Sequence, residues 1–386
     1  MMITFMSHPT LSTLPDSFSR TKSYQKGFTL LEMVLVLFLI GLLASAGLLF
    51  TEGVEDQAKY DETKRRMELI RKAIIGDTTR TINGAPEISG FAADTGRLPA
   101  CIAELFYLNT ENPISGVAAD LYRSPCDTSN VTDLPLPYWF MNQTTGIGFG
   151  WRGPYIQTLT DRNGEVRFRD GYGNDDDTEN FGWQWQLFDK NDNSLNVTEA
   201  KSAVKASLQS LGFDAIDPVD DIPKGDISAI PSLIVNNDWK VTLPNTITVN
   251  FQNQSSVKAL PESDLQLLLR LYSFEFADYI DVTDGINVAL TLAQSEVPEL
   301  MTRTKSFVLP DTKEISMGQR TYAVVCYEVP AGDTDEYVIF DGDCDPTTGL
   351  VPETGNIKPD SSTVRTFTVV PRNSLNLQLD WIIPTP

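Results

Sequence analysis

The residue types from which active sites are usually built are sparse in this chain. Its 386 residues hold one histidine, His8, and everything after it lacks imidazole, the usual general base near neutral pH and the commonest metal ligand. Ser-His-Asp and Cys-His nucleophiles and His-ligated zinc therefore have no candidate residues. Carboxylate chemistry survives this exclusion, and so does calcium binding. The densest acidic run places Asp170, Asp175, Asp176, Asp177 and Glu179 within ten residues. Such density is costly without a counter-charge, and a hard cation held by carboxylate and carbonyl oxygens would relieve it. Asp175, Asp177 and Glu179 are the candidate calcium ligands; a solvated acidic loop is the alternative. Asp189-Lys190-Asn191-Asp192-Asn193 begins like an EF-hand loop, but Ser194 stands where glycine is needed and Ala200 where the bidentate glutamate belongs. Asp341-Gly342-Asp343-Cys344-Asp345 alternates carboxylates, but Pro346 replaces the turn glycine.

The four cysteines, Cys101, Cys126, Cys326 and Cys344, allow three pairings. The division of the chain described below favours Cys101 with Cys126 and Cys326 with Cys344, each bridge worth roughly 3 kcal/mol by loop entropy. Outside the cytoplasm these thiols would oxidise. The balance of 30 Lys+Arg against 52 Asp+Glu gives a net charge of −22, which repels phosphate backbones, so no nucleic-acid partner is expected. A hydrophobic content of 41% with 21% charged residues is that of a chain that folds.

The element that organises the chain is Phe28 to Phe50, 23 residues with a single charge, Glu32. As a helix it spans about 34 Å, enough for a bilayer core of roughly 30 Å. Arg20, Lys22 and Lys26 precede it and Glu52, Glu55 and Asp56 follow, which places the N-terminus in the cytoplasm and the rest outside. A secretory signal peptide is the competing reading, but its one cleavage pattern, Ala44-Ser45-Ala46, lies inside the apolar run.

The stretch Lys26-Gly27-Phe28-Thr29-Leu30-Leu31-Glu32 resembles the cleavage and methylation motif of type IV prepilins and type II secretion pseudopilins. The resemblance implies that a prepilin peptidase cuts between Gly27 and Phe28, that the new N-terminal Phe28 is methylated, and that Glu32 serves assembly. The leader would be 27 residues, or 22 if translation starts at Met6. Asp94-Thr95-Gly96-Arg97-Leu98-Pro99 with Glu104-Leu105, then Trp151-Arg152-Gly153-Pro154-Tyr155-Ile156, are similar to short blocks of the major pseudopilin head. That family continues into a tryptophan-glycine-proline-tyrosine strand where this chain has the acidic run from Asp170. Major pseudopilins bind calcium in a loop of this region, so the resemblance implies the same cofactor.

The elements follow from periodicity. Val54, Ala58, Met67, Ile70 and Ile74 recur near helical spacing, so one spine helix is expected over 28–75, closed by Gly76; its basic cluster Lys64, Arg65, Arg66, Arg71 and Lys72 reads as a solvated face. Val166 and Phe168, then Phe181, Trp183, Trp185 and Leu187, alternate as two strands. Asn196 with Glu199 predicts a capped helix through Ala200, Val204, Leu208 and Leu211, and the proline-rich stretch 214–231 reads as a connector. Seven β-rich runs follow, at 240–251, 265–276, 286–292, 321–329, 337–340, 363–370 and 375–382, which suggest an antiparallel sandwich. Trp239 and Trp381 could stack on sugar or fill a core.

The expected fold is α+β: a leader (1–27), a membrane-spanning spine helix (28–75), a pilin-like head with an antiparallel sheet (76–193), a helix and linker (194–231), and a β-sandwich-like domain (232–386). The expected function is non-enzymatic. The chain would be a minor structural subunit of a type IV pilus or secretion pseudopilus, held in the inner membrane with its head periplasmic, and partnered by other pilins, prepilin peptidase and the inner-membrane assembly platform. The alternatives are a pilus-borne adhesin or carbohydrate-binding protein and a membrane-anchored carboxylate enzyme; a glycosidase would need two carboxyls about 5–9.5 Å apart.

Overall fold

A computed structural model describes residues 29–77, 79–82, 85–109, 121–127, 134–141, 147–158, 160, 164–176, 178–212, 227–228, 232–255, 267–272, 279–283, 301–309, 311–327, 337–340, 364–371, 375 and 377–383. By compactness the chain falls into two units, residues 1–55 and 56–386. It is a mixed α and β protein whose first element is the helix α1, Leu30–Ile75.

The first unit holds the apolar half of α1. Leu30–Gly47 has a mean hydropathy of 2.4 with none of it buried. In the second unit the same helix turns amphipathic: Met67, Ile70, Ala73, Ile74 and Ile75 are buried, at the spacing of one helical face. Burying each large aliphatic side chain contributes roughly 1.5–3 kcal/mol. Gly76 ends the helix at φ +76, where its N–H bonds to the Lys72 carbonyl at 2.8 Å. A Cβ there would stand 2.6 Å from the Ser89 carbonyl oxygen, so glycine is needed both for the turn and for the close approach.

The head begins with three short antiparallel ladders: β1 (Thr81–Ile82) with β2 (Ala85–Pro86), β3 (Leu121–Arg123) with β4 (Pro135–Pro137), and β5 (Phe140–Met141) with β6 (Gly148–Phe149). The short helix α2 (Phe91–Thr95) and a 3-10 turn at Ile102–Leu105 lie between the first two. Then β7 (Trp183–Phe188), β8 (Ser194–Leu195), β9 (Lys205–Ser210) and β10 (Ile227–Ser228) form a sheet in the order β10-β9-β7-β8.

Two sequence expectations are corrected here. The capping box at Asn196 and Glu199 forms, but it starts only a 3-10 helix over Val197–Ser202. From Lys205 the chain is strand, because Ala206, Leu208 and Ser210 alternate inward and pair with β7 from Trp183↔Ser210 to Phe188↔Lys205. The expected strand through Val166 and Phe168 reduces to one bridge, Thr160↔Val166. Most of the proline-rich connector lies outside the described residues, as does the run at 286–292.

Beyond α3 (Asn236–Trp239) come β11 (Lys240–Thr242), β12 (Thr246–Asn253), β13 (Leu267–Tyr272), β14 (Tyr279–Thr283), β15 (Met301–Val308), β16 (Glu314–Ser316), β17 (Gly318–Tyr327), β18 (Tyr337–Ile339), β19 (Arg365–Val369) and β20 (Gln378–Ile383). Here β18-β17-β13-β14-β15-β12-β20, with β19 also paired to β17, make one eight-stranded sheet, and β11 pairs with β16. All these pairs are antiparallel except β12 with β20, which run parallel. The sheet is therefore mixed rather than purely antiparallel, and no second large sheet faces it among the described residues. Ile247, Val249 and Phe251 of β12 point into its core with Leu269, Leu271, Val324 and Trp381.

Candidate functional site

At the head of α1, Thr29 and Glu32 form a closed set of hydrogen bonds. The Glu32 N–H donates to Thr29 Oγ1 at 3.2 Å; the Thr29 N–H and hydroxyl both donate to Glu32 Oε2, at 3.1 and 3.2 Å. The Thr29 carbonyl accepts the first helical bond, from Met33 at 3.2 Å. This is a capping box: the N-cap hydroxyl takes an orphan N–H, and the glutamate three residues on returns to the N-cap. A negative side chain here also opposes the positive end of the helix macrodipole. Glu32 is exposed, as are Leu30, Leu31, Met33 and the residues after them. Gly27 and Phe28 lie outside the described residues. The capping role of Thr29 was missed in the sequence, although threonine three residues ahead of glutamate and before an apolar run is its signature.

The two short blocks of the head bind each other. Arg97 grips Glu104 with two bonds of 2.7 Å, and both side chains are buried. Glu104 also accepts the Ala100 N–H at 2.8 Å and the Ser124 hydroxyl at 2.5 Å. Trp151 Nε1 donates to the Glu104 carbonyl at 2.6 Å, and the Tyr155 N–H donates to the Leu105 carbonyl at 2.7 Å. Asp94 receives the Tyr155 hydroxyl at 3.0 Å and pairs with Arg152 at 3.0 Å. Burial pushes the Asp94 carboxyl up, against the pull of Arg152, and burial beside Asp94 pushes the Tyr155 phenol up as well. Every charge in this cluster has a partner within it, which is the arrangement of a scaffold. Cys101 and Cys126 form a disulfide beside it, with a Cα–Cα distance of 5.8 Å. The proposed Cys326–Cys344 bridge has Cys344 outside the described residues.

The acidic loop has an internal counter-charge. Asp175 is bound by both Arg167 and Arg169, the latter's Nε at 2.7 Å. Asp170 is buried, accepting the Gly173 and Asn174 N–H groups at 2.7 and 2.9 Å and the Ser210 hydroxyl at 2.5 Å. Asp176 takes the Thr178 hydroxyl at 2.7 Å and the Gly182 N–H at 2.9 Å. The loop rests on the spine helix, since the Gly171 N–H donates to Thr63 Oγ1 at 3.0 Å and Arg66 donates to the Arg169 and Asp170 carbonyls. Asp177 is outside the described residues, and among those described no three acidic, histidine or cysteine side chains converge as metal ligands. Arg167 and Arg169 thus give a counter-charge to Asp175, one of the three expected calcium ligands. Arg167 and Arg169 alternate one strand-length before the acids and were the available signal. Trp239 and Trp381 are core residues: their indole N–H groups bond to the Val204 and Phe340 carbonyls.

Residues 22–48 match the family model described as the prokaryotic N-terminal methylation motif. The chain carries a prepilin-type methylation motif. The match covers the capped glutamate and the exposed apolar helix together, and this supports the type IV pilin and pseudopilin family. The motif with such a helix points to membrane anchoring and to processing by prepilin peptidase. No curated protein and no solved structure matches the chain.

Proposed function

We propose that the chain is a low-abundance structural subunit of a type IV pilus or type II secretion pseudopilus. The observation that carries this reading is the methylation motif at the start of an apolar helix whose one charge, Glu32, is held at the first turn. In this reading the peptidase cuts after Gly27, Phe28 becomes the methylated terminus, and the spine helix enters a filament with other pilins on an inner-membrane platform. The head lies on the periplasmic side, where the Cys101–Cys126 disulfide is favoured. The self-paired Asp94, Arg97, Glu104, Arg152 and Tyr155 cluster supports a structural rather than a catalytic head. Intact mass of the membrane-extracted protein tests the assignment: the expected species begins at a methylated Phe28, and a chain retaining its leader overturns it.

A carboxylate near the bilayer interior costs up to roughly 2.5–3.5 kcal/mol on insertion scales, more than the about 0.5–2 kcal/mol that a helix cap returns, so capping alone is a weak reason for a plain anchor to keep one. After cleavage, the amine of Phe28 on a neighbouring subunit can neutralise it and fix the axial register. Glu32→Ala is expected to insert and be cleaved like the parent but to fail to co-assemble, read by crosslinking to partner pilins. Normal co-assembly would return the span to an ordinary anchor.

A further inference from the structure

Among the described residues of the second unit, exposed apolar side chains gather at the β5–β6 hairpin. Among the described residues of 56–386, six large apolar side chains are exposed, and three of them are Tyr138, Phe140 and Met141. Beside them, Phe140 packs edge-on against Phe149 at 5.6 Å. Trp139 packs against Gly148, where a Cβ would collide with its indole ring. The hairpin is held at its base by Trp139 N–H to the Trp151 carbonyl at 3.0 Å and Trp151 N–H to the Pro137 carbonyl at 2.7 Å.

The composition says what such a patch can meet. Between Asp133 and Arg152 there are 18 residues without a charge, where a chain with 21% charged residues would carry about four. Five of the 18 are aromatic, including Tyr138 and Trp139, whose rings combine an apolar body with a polar edge and favour the water–lipid boundary. A partner recruited by charge would find nothing here, and the net charge of −22 works against a second copy and against anionic lipid. A zwitterionic bilayer surface carries no such penalty. The same chain carries an apolar helix with a membrane-anchoring motif, so a head surface within reach of that membrane gains the effective concentration of a tethered group.

We propose that Tyr138, Trp139, Phe140 and Met141 form a membrane-surface contact that seats the head on the zwitterionic lipid interface while the subunit awaits assembly. This rests on the membrane anchoring of the proposed function but not on cleavage, methylation or filament entry.

The test uses the full-length chain in phosphatidylcholine vesicles containing a phosphatidylcholine with a doxyl quencher near the glycerol backbone. Trp139 is one of six tryptophans, and none lies in the apolar helix. The parent is expected to be quenched by about a sixth more of its total emission than Trp139→Phe, and equally in 1 M NaCl. Because Trp139 packs on Gly148, a second variant keeps Trp139 and changes exposed positions only: Phe140→Ser with Met141→Ser should lose the same quenching with an unaltered circular dichroism melt. Equal quenching of parent and variants, or quenching abolished by salt, overturns the proposal. So does a photocrosslinker at Phe140 that joins a second copy of the chain in place of lipid. Flotation of all variants with the vesicles reports anchoring separately, so failure of the span and failure of the hairpin give different results.

Discussion

On the proposed assembly role, Thr29 and Glu32 would serve two tasks in sequence. Before assembly the capping box satisfies the first-turn N–H and two donors of Thr29 without any partner; in a filament the same carboxylate would be offered to another chain. Thr29→Ala should therefore loosen the first turn by about 0.5–2 kcal/mol, seen as faster hydrogen exchange at residues 31–33 in micelles, while Thr29→Ser restores protection. In the head the decisive pair is Arg97 and Glu104. Breaking a buried pair leaves an uncompensated charge, so Glu104→Gln is expected to cost roughly 3–5 kcal/mol in denaturant melts, whereas replacing both partners by apolar residues of similar size should cost less. Glu62 carries a pH signature. The hydrogen bond from Arg65 leads; burial pushes the other way, and the Arg66 hydrogen bond with the charges of both arginines overcomes it, so the carboxyl is held down at about 2 from the usual 4.5. A depressed carboxylate stabilises above its unfolded value, and that stability fades as pH falls from about 4.5 through about 2. Glu62→Gln should flatten the acid limb of the melting curve over that window. Much of this was legible as residue types: Glu32, Arg97, Glu104, Arg152 and Tyr155 all stood out in the sequence. Their pairings were not, because Arg97 reaches Glu104 across a non-helical turn and Tyr155 reaches Asp94 across 61 positions.

At the scale of elements, sequence periodicity succeeded where one face is buried over a long stretch. The spine helix was legible to within two residues at its start, and β12 with its alternating Ile247, Val249 and Phe251 was legible as a strand. It failed at Ala200 to Leu211, where the residues at 200, 204, 208 and 211 satisfy a helical period while those at 206, 208 and 210 satisfy a strand period. Pairing with β7 decides between them, and no local pattern contains that information. In the acidic loop, charge counting within ten residues did not reach back to Arg167 and Arg169, which pair with Asp175. The Cys101–Cys126 bridge was the favoured pairing and is formed. It ties the 3-10 turn carrying Glu104 to the segment carrying Ser124, so its loss should act on the buried cluster as well as on the unfolded chain. Replacing both cysteines by serine is expected to cost about 3 kcal/mol, and reducing agent should lower the parent's melting temperature but leave that of the variant unmoved.

For the whole molecule, the boundary between the two cores is not where the linker composition suggests. The sequence places it in the stretch 214–231, yet Leu233, Ile234 and Trp239 belong to the head core, and the second core begins at Val241. The chain also comes back: after β11 to β16, Met317 returns to the head core, its N–H donating to the Trp239 carbonyl at 2.7 Å. Gly318, at φ +121, lets the backbone pass close to Ala93, where a Cβ would stand 2.9 Å from its carbonyl oxygen. Asp238 pairs with Arg71 of the spine helix at 3.3 Å. A residue contributed to the head core from inside the strand order of the other couples their unfolding, since the head core is incomplete without the segment that holds Met317 in place. The second unit, residues 56–386, should therefore melt in one calorimetric transition. Trp239→Ala, which removes a fully buried indole, should lower that whole transition by about 3–5 kcal/mol rather than split off a head melt. A fragment ending at Pro231 should melt well below the intact protein or fail to fold, because it lacks Leu233, Ile234, Trp239 and Met317 at once. If that fragment instead melts at the intact temperature, the returning Met317 and the Trp239 indole add nothing to the head, and the C-terminal sheet is an independent module joined by the linker that the composition suggested.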